Sequence, residues 1–244
     1  MELTDRVSYR LGMARRRPES RLPDLVRTAA RVFVESGGYQ RTQIGDVARA
    51  LGVAKGTLYL YVQSKDALFD LVVRHADAPD DVQVDLPVPT PAPGSTLLWI
   101  AALIDGATLP PLDGPVSSAA DAARELDALV TALFWLLHAH RWTIRLIASS
   151  ARDMPELSEL WFVQARARLN RRLADWLVQR AGQGVHRPLR VPAEAVARWM
   201  SESVHWAAVS REFDVAPEPL APDDALATVR LAVGRMVLPP AVAL

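Results

Sequence analysis

Residues 37–73 read GGYQRTQIGDVARALGVAKGTLYLYVQSKDALFDLVV, and their spacing decides the fold. The stretch holds both lysines of a chain that carries 28 Lys and Arg in all, so every other basic side chain is arginine. Lys55 and Lys65 flank Gly56, Tyr59 and Tyr61. Ahead of them, Ala48 and Gly52 have the spacing that a helix-turn-helix needs. A small residue near the end of the first helix lets the second approach, and a glycine four positions on takes a positive φ in the turn without steric cost. Val47, Leu51, Val53 and Leu58 supply apolar contacts, so the pattern predicts short helices over 44–51 and 55–62.

Upstream, Leu22, Leu25, Val26, Ala29, Ala30, Phe33 and Val34 recur at helical spacing until Gly37-Gly38 stops the helix. Downstream, Ser64 caps a helix running to about residue 76, and Asp66 in its first turn complements the helix dipole. The composition then changes. Residues 77–95, DAPDDVQVDLPVPTPAPGS, contain five prolines and four aspartates, which exclude helix and sheet interior and mark a linker or loop.

Beyond this segment the periodicity predicts helices over 97–104, 118–138, 141–150, 155–182, 192–212 and 222–238, with no alternating strand and no repeat. The fold class is all-α: a basic flexible arm over 1–20, a three-helix helix-turn-helix domain over 21–76, the linker over 77–95, and a larger helical domain over 96–244. Residues 1–76 carry 13 Lys and Arg against 8 Asp and Glu, and the remainder 15 against 20. A basic piece on an acidic remainder suggests that one end meets a polyanion. Arg15, Arg16, Arg17 and Arg21 can follow a DNA backbone or enter a minor groove from the arm. With no cysteine there is no disulfide framework or thiolate metal site. The absence of a bilayer-length apolar run and of a signal-peptide core leads to the expectation of a soluble, cytoplasmic protein with no membrane partner.

The quoted stretch resembles the DNA-binding domain of the TetR family of bacterial transcriptional regulators, whose pattern is close to G-Y-x-x-T-[ST]-[VI]-x-x-I-A-x-x-A-G-V-S-x-G-T-[LI]-Y-x-[HY]-F-x-[SN]-K-[ED]-x-L. The resemblance implies that Lys55 to Tyr61 form the recognition helix. Lys55, Thr57 and Leu60 would then face base edges, while Thr57, Tyr59 and Tyr61 are available to phosphates. A lysine can donate to guanine O6 or N7, a threonine can touch a thymine methyl, and a tyrosine hydroxyl can reach a phosphate oxygen. Gly56 lets the backbone come close to DNA, and Lys65 adds a charge where the next helix dipole favours phosphate. Thr42 and Gln43, at the entry to the second helix, complete the DNA-binding candidates. Gln43 departs from the Ser or Thr usual there, and Gly45 from a frequent arginine.

The resemblance also implies that the larger domain binds a small molecule and dimerises, with double-stranded operator DNA as the other partner. Independently, that domain holds all seven tryptophans. Tryptophan joins a large apolar area to one donor and suits pockets for flat apolar or aromatic ligands. The ligand candidates are Phe134, Trp135, His138, Trp142, Arg145, Trp161, Gln164, His205 and Trp206, with His140 a further polar group beside Trp142. The last helix places Ala225, Thr228, Ala232 and Arg235 in one row, small enough for close approach, and with the 192–212 helix can form half of an intersubunit four-helix bundle. The reading is a homodimeric regulator, in which a repressor is released by its ligand. A helical enzyme is the alternative: Glu202-x-x-His205 resembles one motif of a di-iron bundle, but that chemistry needs two such motifs and further glutamates. No hydrolase, phosphate-loop or HExxH pattern is present, so no catalytic residue, metal or cofactor is assigned. A ligand-independent DNA-binding protein is the remaining alternative.

Overall fold

The computed structural model describes residues 21–214 and 220–240. The arginines at 15, 16 and 17 lie outside the described residues. Among these residues there is no strand, only an isolated parallel bridge between Val62 and Val88. The all-α expectation therefore holds.

The first four helices are α1 (Leu22–Glu35), α2 (Ile44–Leu51), α3 (Lys55–Leu58) and α4 (Lys65–His75). α1 turns Leu25, Val26, Ala29 and Phe33 inward against α2 and α4. Phe33 meets Phe69 of α4 edge-on at 5.4 Å, and Tyr39 covers the same ring at 5.0 Å. Gly52 ends α2 at φ 71°, in the left-handed region that the helix-turn-helix spacing requires of it, and its N–H returns to Ala48 and Arg49 carbonyls. Ser64 caps α4, its hydroxyl accepting from the Ala67 N–H at 3.1 Å.

The recognition segment is shorter in regular helix than its sequence predicts. α3 closes at Leu58, and Tyr59 to Tyr61 continue as tighter turns, with Leu60 N–H bonded to Thr57 O and Tyr61 N–H to Leu58 O. The backbone just past these turns is bonded to the next segment. Residues 82–94 do not hang as a free linker: they fold back over the first domain as a strap. Val88 N–H donates to Tyr61 O at 2.8 Å and Val88 O accepts from Gln63 N–H at 2.9 Å. Thr90 adds bonds to the Gln63 side chain and to Ser64 Oγ. The proline-rich 77–95 segment makes one 3₁₀ turn over Pro79–Asp81 and no α-helix before Ser95, and at Val88 its backbone is tied to residues just past α3.

The strap leads into α5 (Ser95–Gly106), followed by α6 (Ala119–Ala139), α7 (Arg141–Ser150), α8 (Pro155–Ser158), α9 (Ala167–Gly182), α10 (Ala193–Ala208) and α11 (Pro222–Val237). The predicted 155–182 helix is interrupted by a π-helical stretch, Glu159–Arg166, between α8 and α9. The predicted 192–212 helix ends four residues early, in a 3₁₀ turn over Ser210–Phe213. α10 is central, packed on α6, α9 and α11. A buried ion pair joins α6 to α9. The fully buried Arg180 guanidinium bonds Glu125 and the Gly114 carbonyl, and Trp176 Nε1 donates to the same carboxylate at 2.9 Å.

α7 fastens the two halves. Asp77, just past α4, accepts from the Trp142 and Thr143 N–H groups at 2.8 and 3.1 Å, capping α7 from the other domain. The Thr143 hydroxyl donates to Val73 O at 3.0 Å. At the other end of α7, Tyr39 N–H donates to Ser150 Oγ at 3.1 Å and Arg41 pairs with Asp153 at 2.8 Å. Gly38, at φ 113°, is pressed so close that an added Cβ would stand 2.6 Å from Ser149 O. The domains meet backbone to backbone at this point.

Candidate functional site

Among the described residues, nothing covers the helix-turn-helix face where the sequence places base contacts. Lys55 and Gly56 are exposed, Thr57 is half-buried, and Tyr59 and Leu60 are 43% and 56% exposed. Tyr59 and Leu60, in the turns that follow α3, leave an aromatic and an aliphatic side chain exposed side by side, as a contact surface does. A Cβ at Gly56 would meet nothing within 4 Å, so no packing inside the protein demands a glycine there. Lys65 sits 4.1 Å above the Tyr39 ring, and burial draws its ammonium below the usual lysine pKa. The Tyr39 hydroxyl donates to Asp66, and burial followed by that bond raises its pKa to about 12. Gln43, the exposed N-cap residue of α2, forms a capping box with Asp46, whose carboxylate accepts from the Gln43 N–H at 3.0 Å.

Two of the expected contacts are corrected. Thr42 is 1% exposed and its hydroxyl is spent on the Gly38 carbonyl at 2.9 Å. Tyr61 is 4% exposed and belongs to the core with Leu58 and Val62. Both match the pattern at positions where the fold needs packing, and neither presents its side chain on the outer face.

The second site is a cavity of about 470 Å³ in the larger domain. α6 contributes Leu133, Leu136 and Leu137, α7 contributes Ile144 and Ile147, and α5 with its following loop forms the outer wall from Ala102 to Leu109. The π-helical stretch places Trp161, Ala165 and Arg166 on it, and α10 places Ser201, Glu202 and His205. This volume lies within the range of small-molecule sites, and an apolar wall with a few polar groups is their usual make-up. His205 Nδ1 lies 3.3 Å from Ser210 Oγ. Burial, then the nearby Arg166, hold its pKa below the usual histidine value, so the ring is neutral at neutral pH.

Of the nine expected ligand residues the cavity takes only Trp161 and His205. Phe134 is in the core, Trp135 and Trp206 point outward, and Gln164 is exposed. His138 is bound to the Ala208 carbonyl, Trp142 packs edge-on against Phe213 at 4.7 Å, and Arg145 lies over the same ring. Tryptophan content was a poor guide because the same area serves a core, a pocket or an outer face. His140, named in the sequence only as a polar neighbour of Trp142, also lines the cavity, and it continues a helical row with Leu133 and Leu137 that ordinary core packing would equally produce. Glu202 is held by Arg166 and Arg198, and among the described residues no three His, Asp or Glu are grouped to hold a metal. No helix of the described residues is long and apolar enough to cross a membrane.

Residues 25–72 match the family model of the bacterial regulatory proteins, tetR family. Among solved structures, the chain is similar to the ketosteroid transcriptional regulator KstR2 of Mycobacterium tuberculosis, at 18% identity and a TM-score of 0.53 over 91% of this chain and 97% of that one. It is also similar to a member of the TetR transcriptional regulator family from Streptomyces coelicolor A3, at 20% identity and a TM-score of 0.51, covering 86% and 88% of the two chains. At these identities the likeness is one of fold. No curated protein sequence matches the chain.

Proposed function

We propose that this chain, whose residues 25–72 match the tetR-family model, is a DNA-binding regulator that acts as a homodimeric repressor, binding a pseudo-palindromic operator and leaving it when a small apolar ligand enters the cavity. The observation that carries this reading is the double duty of α7. One of its faces lines the cavity through Thr143, Ile144 and Ile147, and its ends are bonded to Asp77, Val73, Tyr39 and Arg41 of the DNA-binding half. A ligand that moves α7 therefore moves α4 and α1, which pack on it. The strap offers a second path, since α5, the outer cavity wall, continues backward into the residues bonded to Tyr61 and Gln63 at the end of α3.

Dimerisation is supported by apolar side chains left in water. Trp199 and Trp206, seven apart on α10, are 48% and 52% exposed, and Leu231 on α11 is 53% exposed. Around Leu231 lie the exposed Ala227, Thr228, Ala232 and Arg235. Ala225 of the expected row faces inward instead, buried with Val229 and Val233 in the subunit's own core. Exposed tryptophans on α10 and exposed small residues on α11, two helices that pack on each other, are what a helix-to-helix contact between copies uses.

Ligand control requires that the two bound states differ in affinity, and linkage makes the effect reciprocal: operator must change ligand affinity by the factor by which ligand changes operator affinity. Calorimetric titration of a cavity-binding compound, with and without operator, tests the reading. Unequal affinities related by that factor support it. Equal affinities contradict ligand control and favour a ligand-independent regulator.

A further inference from the structure

The charge around the cavity narrows the chemistry of what enters it, an inference that rests on the ligand-control reading above. The inner wall is apolar, and the charged lining is one-sided: Arg166, Arg168 and Arg172 stand against a single carboxylate, Glu202. That carboxylate bonds Arg166 and also lies 2.7 Å from Arg198, so its charge is answered twice. Arg168 reaches Asp105 at 3.0 Å across the mouth. Arg172 lies one turn beyond Arg168 on the same face of α9 and is exposed, and it pairs with no carboxylate among the described residues.

Arg172 also stands at a junction. With Leu109 it borders both the cavity and a shallower groove that holds Asp113 and Asp175, neither of which pairs with it. The exposed members of the cavity lining, from the end of α5 and from Arg168 and Arg172, form its opening. The inner end lacks a comparable free charge, because Arg166 is committed to Glu202 and His205 is neutral. An apolar interior with an unpaired guanidinium at the rim fits a molecule that is apolar along its body and negative at one end. A carboxylate meets the planar fork of an arginine with two parallel hydrogen bonds.

We propose that the ligand is an apolar carboxylate whose body fills the cavity and whose carboxylate lies at the mouth on Arg172, beside Arg168.

Three probes of one skeleton test it on the full chain: 2-naphthaleneacetic acid, 2-(2-naphthyl)ethanol and 2-(2-naphthyl)ethylamine, each titrated calorimetrically at low and high salt. The acid is expected to bind about three- to tenfold tighter than the alcohol at low salt, with the amine weakest and the differences shrinking as salt rises. Arg172→Gln, at an exposed residue that pairs with no carboxylate among the described residues, should bring the acid to the level of the alcohol and leave the alcohol unchanged. If the alcohol binds as well as the acid, if the amine binds tighter, or if Arg172→Gln leaves the preference intact, the anionic class is overturned while the cavity reading stands. If none of the three binds at millimolar concentration, the cavity reading falls with it.

Discussion

Lys55 and Lys65 come from one stretch of sequence but meet different surroundings. Lys55 is exposed and enters no ion pair among the described residues, whereas Lys65 rests on Tyr39 at the start of α4. Lys55→Ala should therefore leave the thermal midpoint unchanged, cost on the order of 1–3 kcal/mol of specific binding and relax selectivity at one base pair. Lys65→Ala should weaken binding to all sequences alike and lower the salt slope by about one. Fluorescence anisotropy with the best site and its one-base variants separates these outcomes. A second residue speaks to stability. His186 is 2% exposed and packs edge-on against Trp176 at 4.8 Å, with neither ring nitrogen partnered among the described residues, and burial pushes its pKa down to about 4. A folded-state pKa below the unfolded value means that the unfolded chain binds more protons, so stability present above pH 6.5 declines as the pH falls toward 4. At pH 5 the loss should be about 1–2 kcal/mol. His205 and His75, also lowered chiefly by burial, add in the same direction. Urea midpoints at pH 7 and pH 5 should show a smaller drop for His186→Gln than for the parent; an equal drop would remove His186 as a cause.

At the scale of elements, the strap is the part that local patterns could not reveal. The helix-turn-helix was legible because its signals are local: Ala48 and Gly52 four apart, Ser64 three before Ala67, apolar residues at helical spacing. Val88 carries no such signal. Its partner Tyr61 lies 27 residues earlier, and the pairing is between backbone groups that every residue owns. Val88→Pro removes the N–H that donates to Tyr61 O while leaving an apolar residue in place. The expected result is a folded protein with faster amide exchange over residues 60–64 and roughly three- to tenfold weaker operator binding, in line with one lost hydrogen bond of about 1 kcal/mol. Val88→Ala, which keeps the N–H, should behave like the parent. Identical exchange in both variants would mean that the strap does not hold the end of α3. The cavity was equally hard to read for a related reason. Leu133 and Leu137 would be apolar whether they faced a ligand or a neighbouring helix, and only the way α5 stands off from α6 and α9 turns that row into a cavity wall.

For the whole molecule, the fold class and the division into a small DNA-binding part and a larger helical part were legible in the sequence. The relation between the parts was not. The 77–95 segment looks like a spacer, but Asp77 caps α7 and Val88 returns to the recognition segment, so the two parts share hydrogen bonds at both ends of α7 and along the strap. In the proposed function, that coupling is the route by which a molecule in the cavity is felt at the DNA, with two copies presenting their recognition segments together. Selection of the purified protein on random duplex DNA is the most direct test of this account. The expected outcome is an enriched pseudo-palindrome with half-site centres about one helical turn, or about 10 base pairs, apart, bound by an even number of chains. Enrichment of a single asymmetric half-site bound by one chain, or no sequence enrichment at all, would contradict it.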